Sequence, residues 1–192
     1  REQCDITISK RLLVEKIMAI LKILTAPDPI LQKKSSPVES VTSSVRQFMD
    51  DMLETMYEDS GVGLAANQVC ILSRVMVIDL QNDDDQNRAK DFYPLFIVNP
   101  EILEISDEMI EADEGCMSLP GQRISISRPK YIKIKYLDYN NKSQELATDG
   151  WLARAVQHEM DHLDGKLAID YLSNLKKSVA LRKLVKLKKL SD

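Results

Sequence analysis

The sequence predicts an α+β fold: mostly antiparallel strands packed around a central helix, with a further helix at the C-terminus. Three observations predict it. The stretches "RVMVIDL" (74–80), "LFIVNPEILEI" (95–105) and "RPKYIKIKYLDYN" (128–140) are rich in β-branched and aromatic residues and partly alternate, as half-buried strands do. "SSVRQFMDDMLETMYEDSG" places Val45, Phe48, Met49, Met52 and Met56 at helical spacing. "QHEMDH" (157–162) holds both histidines of the chain four residues apart, which on a helix is one face.

In chain order, "REQCDITISKRLLVEKI" (1–17) lacks the apolar core and cleavage site of a signal peptide and reads as an upstream extension or a cloning remnant. "APDPILQKKSSPVESV" (26–41) is an extended, turn-rich entry. The first helix has Ser43 or Ser44 as caps and Gly61 as its stop, and its methionines read as core filling. In the last strand Ile132, Ile134 and Tyr136 face one side and Lys133 and Lys135 the other, while "QNDDDQNRAKD" (81–91) is a polar loop. Thr148 or Asp149 caps a second helix from Gly150 or Trp151 to about Leu163, stopped near Gly165. The organisation expected is therefore an extension at 1–17, one catalytic domain at 18–170 and a basic helix at 171–192.

Composition narrows the class. A chain of 192 residues, 44% hydrophobic and 29% charged, suits one globular domain whose core needs neither disulfides nor a structural metal. The odd cysteines at 4, 70 and 116 form no disulfide framework, and no stretch is apolar enough to span a membrane. A cytoplasmic, reducing location is expected, with no membrane partner and no sequence-specific nucleic-acid partner.

H-E-x-x-H on a helix lets two imidazoles grip one cation and leaves Glu159 as a candidate general base. Trp151, Ala155, His158 and His162 recur at steps of four, three and four, so the histidines are expected on the buried face rather than in water. A catalytic site needs a third protein ligand, and no Glu follows His162. Cys4 lies in the leader, and Cys70, in "VCILSRVMVI", reads as a small buried thiol. Cys116, in the irregular stretch "EGCMSLPG", remains, although a free cysteine there also reads as a small hydrophobe. Likewise "GVGLAANQ" (61–68) is either a glycine-rich turn or a loop whose Gln68 donates to a developing oxyanion.

Taken together, "GVGLAANQ", "EGCMS" and "QHEMDH", in that order, with "DPIL" upstream, resemble the signature motifs of the peptide deformylases, over about residues 20 to 175. The resemblance implies removal of the formyl group from N-formyl-methionyl nascent peptides. It implies Cys116, His158 and His162 as metal ligands and Glu159 as general base and acid. Gln68 and the backbone N–H of Met117 are the implied oxyanion stabilisers. It also implies Fe(2+) as the metal in the cell, with Zn(2+) or Ni(2+) as possible substitutes, activating water for attack on the formyl carbonyl. Substrate would bind along Val62, Gly63 and Gly115, glycine keeping that edge open, with methionine near Trp151, Arg154 and Ala155. Glu114 and Arg123 match an ion pair that braces the cysteine loop. Asn67 stands where the family often has proline and Met117 where it has leucine.

Two other classes share parts of this pattern. An endoprotease would cleave unformylated peptides, and a metal-stabilised module would lose its fold on chelation. Residues 171 to 192 carry seven Lys and Arg against one Asp. Ala180, Leu184 and Leu187 would form an apolar stripe opposite Arg182, Lys186 and Lys189, a helix suited to docking on the ribosome.

Overall fold

The computed structural model describes residues 19–81 and 92–191, with side chains up to Leu187. The extension at 1–17, Cys4, nearly all of the polar loop and the side chain of Lys189 lie outside the described residues. Among the described residues, seven strands form two antiparallel sheets. The larger has the order β1 (Gly63–Ala65), β2 (Val75–Ile78), β3 (Leu95–Ile105), β6 (Tyr131–Leu137) and β7 (Ser143–Asp149). The smaller is a ribbon of β4 (Met109–Glu114) and β5 (Ile124–Pro129).

A helix covers each face of the larger sheet. Val75 and Val77 of β2 point to α1 (Ser43–Glu58), packing with Leu64, Val98 and the helix's Val45, Met49, Met52 and Met56. Their neighbours Met76 and Ile78 point the other way, joining Ile97, Ile132 and Ile134 against Leu152, Val156, Met160 and Leu163 of α2 (Gly150–Leu163). β2 is thus apolar at every position because both of its faces are covered. Removing one such side chain, as in Leu→Ala, typically costs about 2–5 kcal/mol.

The helix boundaries differ slightly from expectation. Thr42, not Ser43 or Ser44, caps α1, its Oγ1 accepting from Val45 N at 3.4 Å, because helical geometry begins at Ser43 itself. Asp149 precedes α2 without a side-chain capping bond. Gly165 ends that region with φ +75°, where an added Cβ would strike the Gln32 carbonyl at 2.5 Å.

α3 (Asn174–Ser191) packs through Ala180 and Leu184 onto Leu119, Ile124, Ile126 and Ile169, a cluster that Cys116 touches. The expected third member of its stripe, Leu187, is 44% exposed. Val185, Lys186 and Leu187 are all exposed, and Leu181 takes the third apolar place against the cluster.

Candidate active site

α2 follows β7 without an intervening loop, the turn being made at Gly150, whose φ of +60° suits glycine. The sheet therefore aims the helix, and two turns later His158 and His162 emerge on one buried face. The irregular segment after β4 brings Cys116 opposite them. Ligand atoms of Cys116, His158 and His162 all lie within 4.8 Å of one another, with Cys116 Sγ 3.2 Å from His162 Nε2. Cys116 is a free thiol, whereas Cys70, which stands away from this cluster, is half-buried rather than fully buried as expected.

The 3₁₀ turn at Ala66–Val69 supplies the next layer. Gln68 Oε1 accepts from Ala65 N at 2.8 Å, which turns its Nε2 toward Ser118 Oγ at 3.1 Å and Cys116 Sγ at 3.7 Å. Asn67 Nδ2 donates to the His162 carbonyl. Met117 is half-buried and so close to Gly61 that a Cβ there would lie 2.7 Å from its sulfur.

Glu159 is buried, with Oε2 unpartnered by any protein atom. Burial, with the nearby negative charge of Glu114, outweighs the pull of His158 and raises its carboxyl to about 7. For Glu114 burial also acts upward, but hydrogen bonds from His158 and Arg128 and the charge of Arg128 bring it down to about 2. The two histidines are pushed apart. Burial acts downward on both, yet hydrogen bonds with Cys116 and Glu114 raise His158 well above its ordinary value, while the positive charge of His158 and Arg128 lowers His162 further.

Several expectations change. Arg123 is exposed, and the cations on Glu114 are Arg128 and Arg154, since strand alternation turns Ile124, Ile126 and Arg128 inward and Arg123 outward. Trp151 is 61% exposed, so the stripe on α2 is buried only from its second turn. Trp151 and Arg154 do line a cavity of about 220 Å³ with Ile110, Ala112, Pro129 and Lys130, but Ala155 packs against the sheet core instead. Arg154 is itself buried, donating to Glu114 Oε1 and to the carbonyls of Ile110 and Ile126. Val62 is exposed, and Gly115 has open space where a Cβ would stand. Gly63 is glycine for another reason: it is buried, and a Cβ would lie 2.5 Å from Glu159 Oε1.

Gly63→Ala is therefore expected to displace the Glu159 carboxylate and lower turnover on the order of 10²-fold, the typical effect of a displacement near 1 Å. Steady-state kinetics beside a thermal melt would check it. Unchanged turnover would mean that Glu159 shifts without consequence.

Sequence reasoning missed Arg128, Asn67, Asp161 and Ser118. Only Arg128 left a signal: a charged residue on the inward side of the alternating "ISISR".

The polypeptide deformylase family model matches residues 20–178. A peptide deformylase of Rickettsia akari (strain Hartford) is 62% identical over 171 residues, covering 89% of this chain and 98% of the relative, and one of Orientia tsutsugamushi (strain Ikeda) is 55% identical over 175 residues, covering 89% and 97%. The crystal structure of peptide deformylase from Ehrlichia chaffeensis aligns with TM-score 0.84 and 39% identity, covering 90% of this chain and 99% of that one. With three motifs gathered at one buried centre and a family match across most of its length, the chain belongs to the peptide deformylases, enzymes that remove the N-formyl group from nascent peptides.

Proposed function

We propose that this chain deformylates formyl-methionyl N-termini by hydrolysis at a divalent metal held by Cys116, His158 and His162, with Glu159 as base and then acid. The observation that carries this is the convergence of one thiol and two imidazoles within 4.8 Å beside a buried carboxyl that has no other partner. Three protein ligands that leave a position open fit a catalytic metal. When bound, the metal supplies Lewis acidity that makes water nucleophilic near neutral pH.

The chain's own groups do the rest. Glu159, near pH 7 in its titration, takes a proton from water and returns it to the leaving amine. Gln68 Nε2, fixed by the Ala65 bond, and the Met117 N–H stabilise the oxygen as the carbonyl becomes tetrahedral. Burial of Glu159 beneath Gly63 limits its freedom and excludes bulk water from that side. The substrate backbone lies along the free edge formed by Val62, Gly63 and Gly115, and the methionine side chain enters the cavity beside Trp151 and Arg154. One thiolate and two imidazoles suit Fe(2+), and they suit Zn(2+) and Ni(2+) as replacements.

The test is anaerobic assay of freshly purified protein on formyl-Met and acetyl-Met peptides, with metal analysis of the same sample. Turnover of the formyl peptide alone, with about one metal per chain, is expected. Cleavage of unformylated peptides would select a protease, and unfolding on chelation without turnover a structural site.

Among the described residues no helix is long and apolar enough to cross a membrane. We further propose cytoplasmic action at the ribosome, with the exposed Arg182, Lys183 and Lys186 of α3 meeting phosphate. Truncation is a poor test, because it would remove the buried Ala180 and Leu184. Replacing the three cations by Glu is expected to leave turnover of short peptides within about twofold and to weaken ribosome co-sedimentation at least tenfold at low salt, where phosphate contacts are strongest. Unchanged co-sedimentation would remove this role from the helix.

A further inference from the structure

Behind His158, on the side away from Cys116, a continuous chain of charged side chains runs outward from the site. His158 Nδ1 lies 2.7 Å from Glu114 Oε2. Glu114 receives Arg128 through Nε at 2.6 Å and Nη2 at 2.9 Å, and Arg154 Nη1 at 2.6 Å. The remaining arm of Arg128, Nη1, donates to Asp161 Oδ2 at 2.8 Å, and the same oxygen accepts the Tyr171 hydroxyl at 2.8 Å. The Arg128 guanidinium also lies 5.2 Å from the centre of the Tyr171 ring, which helps to explain why its side chain is only 5% exposed.

The charges decide what this arrangement does. Two arginines and two carboxylates balance, and the balance requires Asp161, whose side chain is 20% exposed and stands at the outer end. Without that carboxylate, one buried guanidinium charge would stand uncompensated behind the imidazole, facing a cation on the other nitrogen. Without the tyrosine hydroxyl, Asp161 keeps its charge but loses a restraint. Asp161 sits one residue before His162 yet points to Arg128, so its effect on the metal would pass through Arg128, Glu114 and His158.

We propose that Asp161 and Tyr171 are positioning residues for His158: they hold Arg128, and through it Glu114, so that the imidazole donates from Nδ1 and presents Nε2 to the metal. This rests on the reading of the site as a metal centre. Partners of this kind behind a histidine ligand typically change metal affinity or activity by 10- to 100-fold.

The test compares wild type with Asp161→Asn, Asp161→Glu and Tyr171→Phe. For each, zinc affinity is measured by chelator competition, the melting temperature on the metal-free protein, and kcat and KM on a formyl-Met peptide with zinc in excess. Asp161→Asn is expected to weaken zinc about 10- to 100-fold and to lower kcat while KM stays within about twofold. Asp161→Glu, which keeps the charge, should recover most of the affinity, and Tyr171→Phe should lose a few-fold. A network that merely braces the fold would lower the melting temperature and leave zinc affinity and kcat at wild-type values, which overturns the proposal. If Asp161→Asn does not fold, Tyr171→Phe decides alone, since it removes one oxygen and no charge; wild-type zinc affinity and kcat in it would overturn the proposal. Failure of the wild type itself to bind zinc is a separate result that overturns the reading of the site, and the proposal with it.

Discussion

Glu159→Gln is expected to retain metal and fold while turnover falls by about 10²- to 10⁴-fold, the usual range for loss of a positioned acid–base group. The carboxamide has nearly the same shape, so it fits beneath Gly63, but it cannot accept and return a proton. The metal-free protein offers a second readout. Glu159 has a folded pKa near 7 against 4.5 for the ordinary group, so between those values the native state holds more protons than the unfolded chain. Its contribution therefore weakens stability as pH rises from about 4.5 to 7, and the Gln variant should lack that slope. Near-normal turnover in metal-loaded Glu159→Gln would reject the acid–base role.

Cys116→Ser should lose metal almost completely, and activity with it. A serine hydroxyl is far harder to deprotonate than a thiol and is a poor ligand for the softer divalent ions, so only two imidazoles would remain. The fold should survive, because Cys116 itself belongs to neither of the two clusters on the faces of the large sheet and serine has nearly the same size. Metal content and melting temperature, measured on the same preparation, separate these effects. A variant that keeps one metal per chain would move the third ligand elsewhere.

How much of this was legible in the sequence depended on whether a residue's neighbours lay nearby in the chain. α1, β3 and α2 were readable because helical and alternating periods are local, and β2 because both its faces are buried. β4 was not: five of its six residues are at least partly exposed, and "MIEADE" reads as acidic surface until its pairing with β5 is seen. β1 is three residues long and merges with the glycine-rich turn. At the site, spacing identified the histidines and elimination pointed to Cys116, and the resemblance to a family assigned their roles. The partner of Glu114 was misplaced on Arg123 because the choice depends on which side of β5 faces inward. The extension of the network through Asp161 to Tyr171 joins three segments and has no local signature.

The absence of a loop between β7 and α2 bears on when the proposed metal centre would form. In an unfolded chain the two histidines are already close neighbours, but β5, β6 and β7 all lie between them and Cys116. Two imidazoles on an unstructured segment hold an ion weakly, so a tight centre forms only after those strands have paired and α2 has been launched from the sheet edge. At the proposed centre, metal insertion would therefore be a late step, taken by a chain that has already committed to its fold, and the binding energy would accrue to the native state alone. A freshly made chain would then meet cellular ions with a preformed pocket rather than with loose ligands, and starving cells of metal should leave folded apoprotein rather than debris.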